Sequence, residues 1–102
     1  MQKAKEPAMT EAQRELGRHA LGFPNKRNTS YRNHFCIGAC SSDHREWELM
    51  VLNGYAVKRT GPSWGGDDMF HLTLKGALLA RDPKEHLSRE DSAMMRDLEA
   101  AR

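Results

Sequence analysis

The chain has 102 residues, of which 38% are hydrophobic and 29% charged, with a formal net charge of +2. That length fits one domain and excludes two independent cores. No apolar run approaches the roughly 20 residues of a membrane span, the opening MQKAKEPAMT lacks the apolar stretch of a secretory signal, and two cysteines are too few for a disulfide framework. The expectation is a soluble protein in a reducing compartment.

Residues 1–9 are polar and contain Pro7, so they are expected to form a disordered tail. Thr10 and Gln13 make a capping-box pattern that predicts a helix over 11–21. Leu16, Ala20 and Leu21 share its apolar face, Gly17 weakens its middle, and Gly22 and Pro24 stop it. NKRNTS, residues 25–30, reads as loop. SYRNHFCI, residues 30–37, has no clean period and fits either a short helix or an extended segment. Asp43, with Glu46 three residues on, predicts the cap of a second helix. Trp47, Met50 and Val51 form the apolar face of that helix, and Gly54 ends it.

YAVKRT (55–60) and MFHLT (69–73) read as strands flanking the loop TGPSWGGDD (60–68), a β-hairpin with a long tip. Thr73 caps LKGALLAR. Asp82, Pro83 and Glu85 signal a last helix over 83–102, although its polar opening turns also allow a start nearer Ser88. Leu87, Met94, Met95, Leu98 and Ala101 give it a partial apolar stripe. The predicted organisation is a tail (1–9), a domain (10–82) and a C-terminal amphipathic helix (83–102).

Most of the soft chemistry sits in HFCIGACSSDH, residues 34–44. Its spacing H-x-C-x3-C-x3-H supplies the four donor types of a structural zinc site: His34, Cys36, Cys40 and His44. Zinc sites more often use two knuckles separated by a longer stretch, and four ligands in eleven residues leave little backbone to wrap a metal. The competing reading puts Phe35 and Ile37 in the core, with Cys36 buried or half-buried and Cys40 in a loop. Cys40 beside Asp43 and His44 also resembles a thiol nucleophile at a helix start, but no supporting motif accompanies it. Pairs such as Glu11 and Glu15, or Glu46 and Glu48, are routine on surface helices. GGDD lacks the Lys and Ser or Thr of a phosphate loop. The expectation is therefore no enzyme and no cofactor, with zinc as the one alternative.

Charge is unevenly distributed. Residues 1–42 carry seven Lys or Arg against three acids. Arg14, Arg18, Lys26, Arg27 and Arg32 crowd that half, with His19 and His34 among them. Such a surface suits phosphates, with Lys58 and Arg59 helping from the hairpin. The helix HREWELMVLN offers one Arg against Glu46 and Glu48, a poor face for a polyanion. Trp64, Asp67 and Asp68 at the hairpin tip instead suit a protein partner.

WELMVLNGYAVKRTGPSWGGDDMFHLTLKGALLA resembles the back half of a winged helix: an apolar helix ending in NGY, a basic strand into a wing, and LTLKG opening the next helix. This implies an α+β, winged-helix-like fold with a two-stranded hairpin and a C-terminal helix. TEAQRELGRHALG, SYRNHF and GGDDMFHLTLKG together resemble a family of small uncharacterised bacteriophage proteins over about residues 10–81. That resemblance implies a phage-type protein in the cytoplasm of a bacterial host, and no activity. The functional expectation is an accessory or regulatory protein that contacts DNA. The alternative is a protein-binding inhibitor of host machinery, such as a defence nuclease (anti-CRISPR-like) or a polymerase. Expected partners are DNA or a host protein, with no membrane, and the last helix allows a homodimer.

Overall fold

The computed structural model describes residues 8–60 and 67–101. Its element order is α1 (Glu11–Leu21), β1 (Phe35–Ile37), α2 (Ser42–Leu52), β2 (Ala56–Thr60), β3 (Asp68–Leu72), α3 (Leu74–Ala80) and α4 (Arg89–Ala100). The fold is α+β. The three strands form one antiparallel sheet in the order β1-β3-β2. The expected hairpin is therefore one strand short of the sheet, because SYRNHFCI is extended and its end pairs with β3.

Local chemistry sets most boundaries. Thr10 accepts from the Gln13 amide, and Gln13 reaches back to the Thr10 amide, completing the capping box. Gly22 closes α1 at φ 91°, a left-handed conformation that costs a side-chain-bearing residue more. The predicted Asp43 cap is displaced. Ser41 caps α2 by accepting from the Asp43 amide, and Asp43 lies in the first turn, where its charge still suits the helix N-terminus. The last helix begins only at Arg89, capped by Ser88. Residues 82–87 are instead an irregular segment held by side chains of α1.

The core lies between the sheet and the helices. Ala20, Leu21, Trp47, Met50, Tyr55, Phe70, Leu72, Ala77, Ala80 and Met95 are buried, with Phe35 and Ile37 packed against them as expected. Rings form a continuous column. Phe35 meets Trp47 at 5.4 Å, and Trp47 stacks on Phe70 at 5.4 Å and 19°. His19 stands edge-on to Phe35, and His44 edge-on to Phe70, both at 5.3 Å. Such pairs add to the stabilisation that burial of the rings already supplies.

Asn33 extends the short β1. It stands two positions before Phe35, opposite Leu72, and its side-chain amide replaces the backbone. Its Oδ1 accepts from the Leu72 amide at 2.8 Å and its Nδ2 donates to the Leu72 carbonyl at 3.0 Å. Asn33→Ala leaves both buried backbone groups unpaired, so a stability loss of about 2 kcal/mol is expected in urea denaturation. A loss within experimental error of zero would mean that water takes over both bonds.

The last third of the chain is tied to the first. Arg18 is buried and its guanidinium forks onto both carboxylate oxygens of buried Glu85, with Nη2 at 2.7 Å from Oε2. Arg14 pairs with Asp82, which also lies 3.5 Å from Arg18. The Asp82 amide donates to Glu85 Oε1 at 2.7 Å, closing the turn. Glu99 of α4 accepts from the Lys75 amide at the start of α3. Among the described residues, no helix is long and apolar enough to cross a membrane. Within the expected 1–9 tail, residues 1–7 lie outside the described residues, while Met9 packs against the core.

Candidate nucleic-acid interface and a polar cluster beneath α2

The expected basic surface divides in two. Arg14 and Arg18 do share one face of α1, but that face meets Asp82 and Glu85. Two carboxylates brought in from the far end of the sequence consume both cations, so neither faces a phosphate. The hydrogen bond that Arg18 donates to Glu85 raises the Arg18 pKa against the opposing effect of burial. Burial pushes the Glu85 carboxyl up, but Arg18 and the Asp82 amide outweigh it and hold Glu85 below its ordinary range. Lys58 is likewise engaged: its Nζ lies 2.8 Å from Glu48 Oε2, and that bond raises its pKa. Arg59 is exposed on the opposite face of β2 and pairs in register with Met69.

The remaining basic groups converge on the segment between α1 and β1. Lys26 and Arg27 are exposed on a turn organised by Asn25. Asn25 Nδ2 donates to the carbonyls of Gly22 and Thr29, and its Oδ1 accepts from the amides of Arg27 and Thr29. The turn is also fixed to the segment before α4. Ser30 N donates to the His86 carbonyl, and His86 N to the Asn28 carbonyl. Ser30 Oγ donates to Asp91 at 2.6 Å and accepts from the Ser88 amide at 2.9 Å.

Arg32 donates from Nε and Nη2 to the His19 carbonyl at the end of α1, at 3.2 and 2.6 Å. Its guanidinium lies 5.3 Å from the Tyr31 ring, and Tyr31 is 64% exposed. Arg32, His19, His34, Phe35 and Cys36 line a shallow pocket beside edge strand β1. No Asp or Glu occurs between Glu15 and Asp43 in the sequence. Cations, an exposed aromatic ring and fixed backbone thus meet on one surface.

The expected zinc tetrad is divided by the pleat of the sheet. Phe35 and Ile37 face the core, so Cys36 between them points to the other side, where it is exposed opposite Met69. Cys40 is exposed in the following turn, and both thiols are free. Exposure of Cys36 also departs from the buried or half-buried position expected of it. His44 lies on the core side, under α2, against Phe70.

His44 belongs instead to a different cluster. Its Nε2 lies 2.6 Å from Asp68 Oδ2 and 4.0 Å from Glu48 Oε2. The second Asp68 oxygen accepts from Thr60 Oγ1 at 2.6 Å. The Thr60 hydroxyl and then His44 hold the Asp68 carboxyl below its usual range. Among the described residues, His44, Glu48 and Asp68 are the one group of three or more His, Cys or carboxylate side chains whose donor atoms all come within 4.8 Å of one another. The sequence held half the signal, the i,i+4 spacing of His44 and Glu48. The other half depends on the register that sets Asp68 opposite Thr60.

The expected partner surface at the hairpin tip changes accordingly. Trp64 lies outside the described residues. Asp68 turns inward to His44 and Thr60 and does not face a partner. Asp67 lies near Gly38.

His71 shows how burial sets a tautomer. Its Nδ1 lies 2.7 Å from the Asn33 carbonyl, which can only accept, so Nδ1 carries the proton. Burial lowers the His71 pKa and favours this neutral form. No family model, curated protein or solved structure matches the chain.

Proposed function

We propose that the protein binds nucleic acid through the basic surface of Lys26, Arg27, Tyr31 and Arg32, with His19 and His34 at its edge. The observation that carries this reading is the exposed Tyr31 ring beside Arg32, on a segment whose backbone is already fixed by Asn25, Ser30 and His86. An exposed aromatic flanked by cations suits a stacked base and its neighbouring phosphates, which favours single-stranded DNA. Little ordering remains to be done on binding, because the segment is held in place beforehand.

The winged-helix reading is part of the same proposal. An antiparallel sheet joining β1 to the β2–β3 hairpin, with α2 before it, supports that reading. The exposed side of α2 carries Arg45, Leu49 and Leu52, which suits a major groove poorly and favours the basic segment as the proposed contact. A small accessory or regulatory role of bacteriophage type is proposed on the sequence pattern alone.

Anisotropy with labelled single-stranded DNA tests the reading. Three phosphate contacts predict that affinity falls about 20-fold between ~50 and ~200 mM salt. Tyr31→Ala is expected to weaken binding by about 1–3 kcal/mol, the usual value of one stacked base. Lys26→Glu with Arg27→Glu is expected to abolish it. Binding indifferent to salt and to these changes, or no binding at low salt, removes the proposal.

A second reading, binding to a host protein, is favoured by the exposed apolar side chains. Leu52 is 78% exposed on α2, and Leu78 and Leu79 are about half exposed on α3. Capture from bacterial lysate before and after nuclease treatment separates the two. A protein partner survives the nuclease, and an association bridged by nucleic acid does not.

A further inference from the structure

The geometry points to a divalent-metal site of the zinc class formed by His44 Nε2, Glu48 Oε2 and Asp68 Oδ2, at which the metal displaces the Lys58 ammonium. The site is independent of the basic surface proposed to bind nucleic acid.

The three donors come from two elements that the fold fixes against each other. His44 and Glu48 are one helical turn apart on α2, so their side chains leave the same face. Asp68 is the first residue of β3 and reaches them from the sheet below. Four-coordinate zinc holds its N and O ligands at about 2.0–2.1 Å, which places them about 3.3 Å from one another. The His44–Asp68 separation of 2.6 Å must open slightly and the His44–Glu48 separation of 4.0 Å must close. Both changes are within the reach of side-chain torsions, and no backbone need move.

The surroundings are those of a ligand set. Thr60 holds one Asp68 oxygen at 2.6 Å and thereby aims the other at His44. Such outer hydrogen bonds orient metal ligands and sharpen affinity. The Phe70 ring lies edge-on to the imidazole at 5.3 Å and backs the site with apolar surface. His44 and Asp68 side chains are 10% and 14% exposed, whereas Glu48 is 40% exposed, so entry is from the Glu48 side. Three protein ligands leave a fourth position for water or a bound anion.

Lys58 shows what this pocket requires. Its ammonium is 2.8 Å from Glu48 Oε2, and the Asp68 carboxylate acts on it at longer range, so one positive charge faces two carboxylates. A divalent ion balances both. The Lys58 side chain is 36% exposed and can return to water when the ion enters. The mixed imidazole and carboxylate donors suit zinc or cobalt, and they lack the all-oxygen shell that calcium and magnesium prefer.

Titration of the chelator-treated full chain with Zn2+ by calorimetry, together with Co2+ absorption, decides the matter. One equivalent of Zn2+ is expected to bind and to raise the melting temperature. Co2+ is expected to give visible bands without the ultraviolet charge-transfer band of a thiolate ligand. Thr60→Val is expected to weaken Zn2+ at least about tenfold, and Glu48→Gln by more. Lys58→Met keeps all three ligands, removes the competing cation, and is expected to tighten binding. The Cys36→Ser, Cys40→Ser double variant is expected to bind like the parent. The inference is overturned by no Zn2+ uptake, by a thiolate band with Co2+, by uptake that Glu48→Gln leaves undiminished, or by weaker binding in Lys58→Met.

Discussion

Replacing Arg18 with methionine is expected to destabilise the fold by about 3–5 kcal/mol, the usual cost of leaving one partner of a buried ion pair alone. Arg18 and Glu85 are both buried, and the guanidinium fork serves both carboxylate oxygens. Methionine fills much of the volume but donates nothing. The loss should therefore fall sharply when Glu85→Gln is added, because the orphaned charge is then gone. Denaturant midpoints of the parent, the two single variants and the double variant measure this. A single Arg18→Met variant within about 1 kcal/mol of the parent would show that water reaches Glu85 after all.

The same pair fixes a pH dependence, and its sign reverses in the variant. In the parent, Glu85 is held below its ordinary value of 4.5. Its contribution is fully present above that value and is lost as pH falls through the lower folded one. Without Arg18, burial becomes the dominant influence and pushes Glu85 up. The variant should then lose stability as pH rises above the ordinary value. The gap between parent and variant thus narrows in acid, which thermal melts across that range can read.

Gly76→Ala is expected to cost about 3 kcal/mol or to prevent folding, since the added methyl overpacks a site walled by backbone. Its Cβ would stand 2.0 Å from the Tyr55 carbonyl oxygen, 2.9 Å from the carbonyl carbon and 3.0 Å from Tyr55 Cα. None of these is the end of a flexible side chain. The corner is also locked by Thr73, which caps α3 through the Gly76 amide, donates to the Gly54 carbonyl at 2.9 Å and binds the Tyr55 carbonyl through its own amide. Gly17→Ala is the control. Its nearest neighbour is Ala80 Cβ at 3.1 Å, which needs α1 and α3 to part by only a few tenths of an ångström, and the helix propensity of alanine, about 1 kcal/mol over glycine, offsets that cost. Near-neutral behaviour at Gly17 with severe loss at Gly76, by calorimetry, is the expected contrast. Equal effects would mean that α3 moves away from Tyr55 without difficulty.

Features written in neighbouring residues were legible in the sequence. The capping box at Thr10, the Gly22 stop, the Trp47 and Met50 face and the Thr73 cap are all local. The α2 cap was misplaced because Ser41, Ser42 and Asp43 are all good caps, and local preference does not choose among them. β1 was hidden because only three residues pair and Asn33 continues the edge with a side chain. The metal-like spacing around Cys36 failed for a different reason: strand alternation turns that thiol away from His44. The basic surface was overcounted because the acids that neutralise Arg14 and Arg18 lie 67 and 68 positions away in the chain. The His44 cluster needed Asp68, which reads as an ordinary loop acid until the register is known.

The long-range ties of α1 also bear on how the chain is made. Arg14, Arg18 and Ser30 emerge from the ribosome well before their partners Asp82, Glu85, His86, Ser88 and Asp91. Until residue 85 is made, the buried arginine lacks the Glu85 carboxylate, and the basic turn lacks its ties to His86, Ser88 and Asp91. Pairings of such sequence separation form late and together. Until then the basic segment keeps its local bonds through Asn25. Its long-range ties form only with the start of α4 and the segment before it, so a ribosome stalled short of residue 85 carries a chain whose proposed binding surface is not yet fastened.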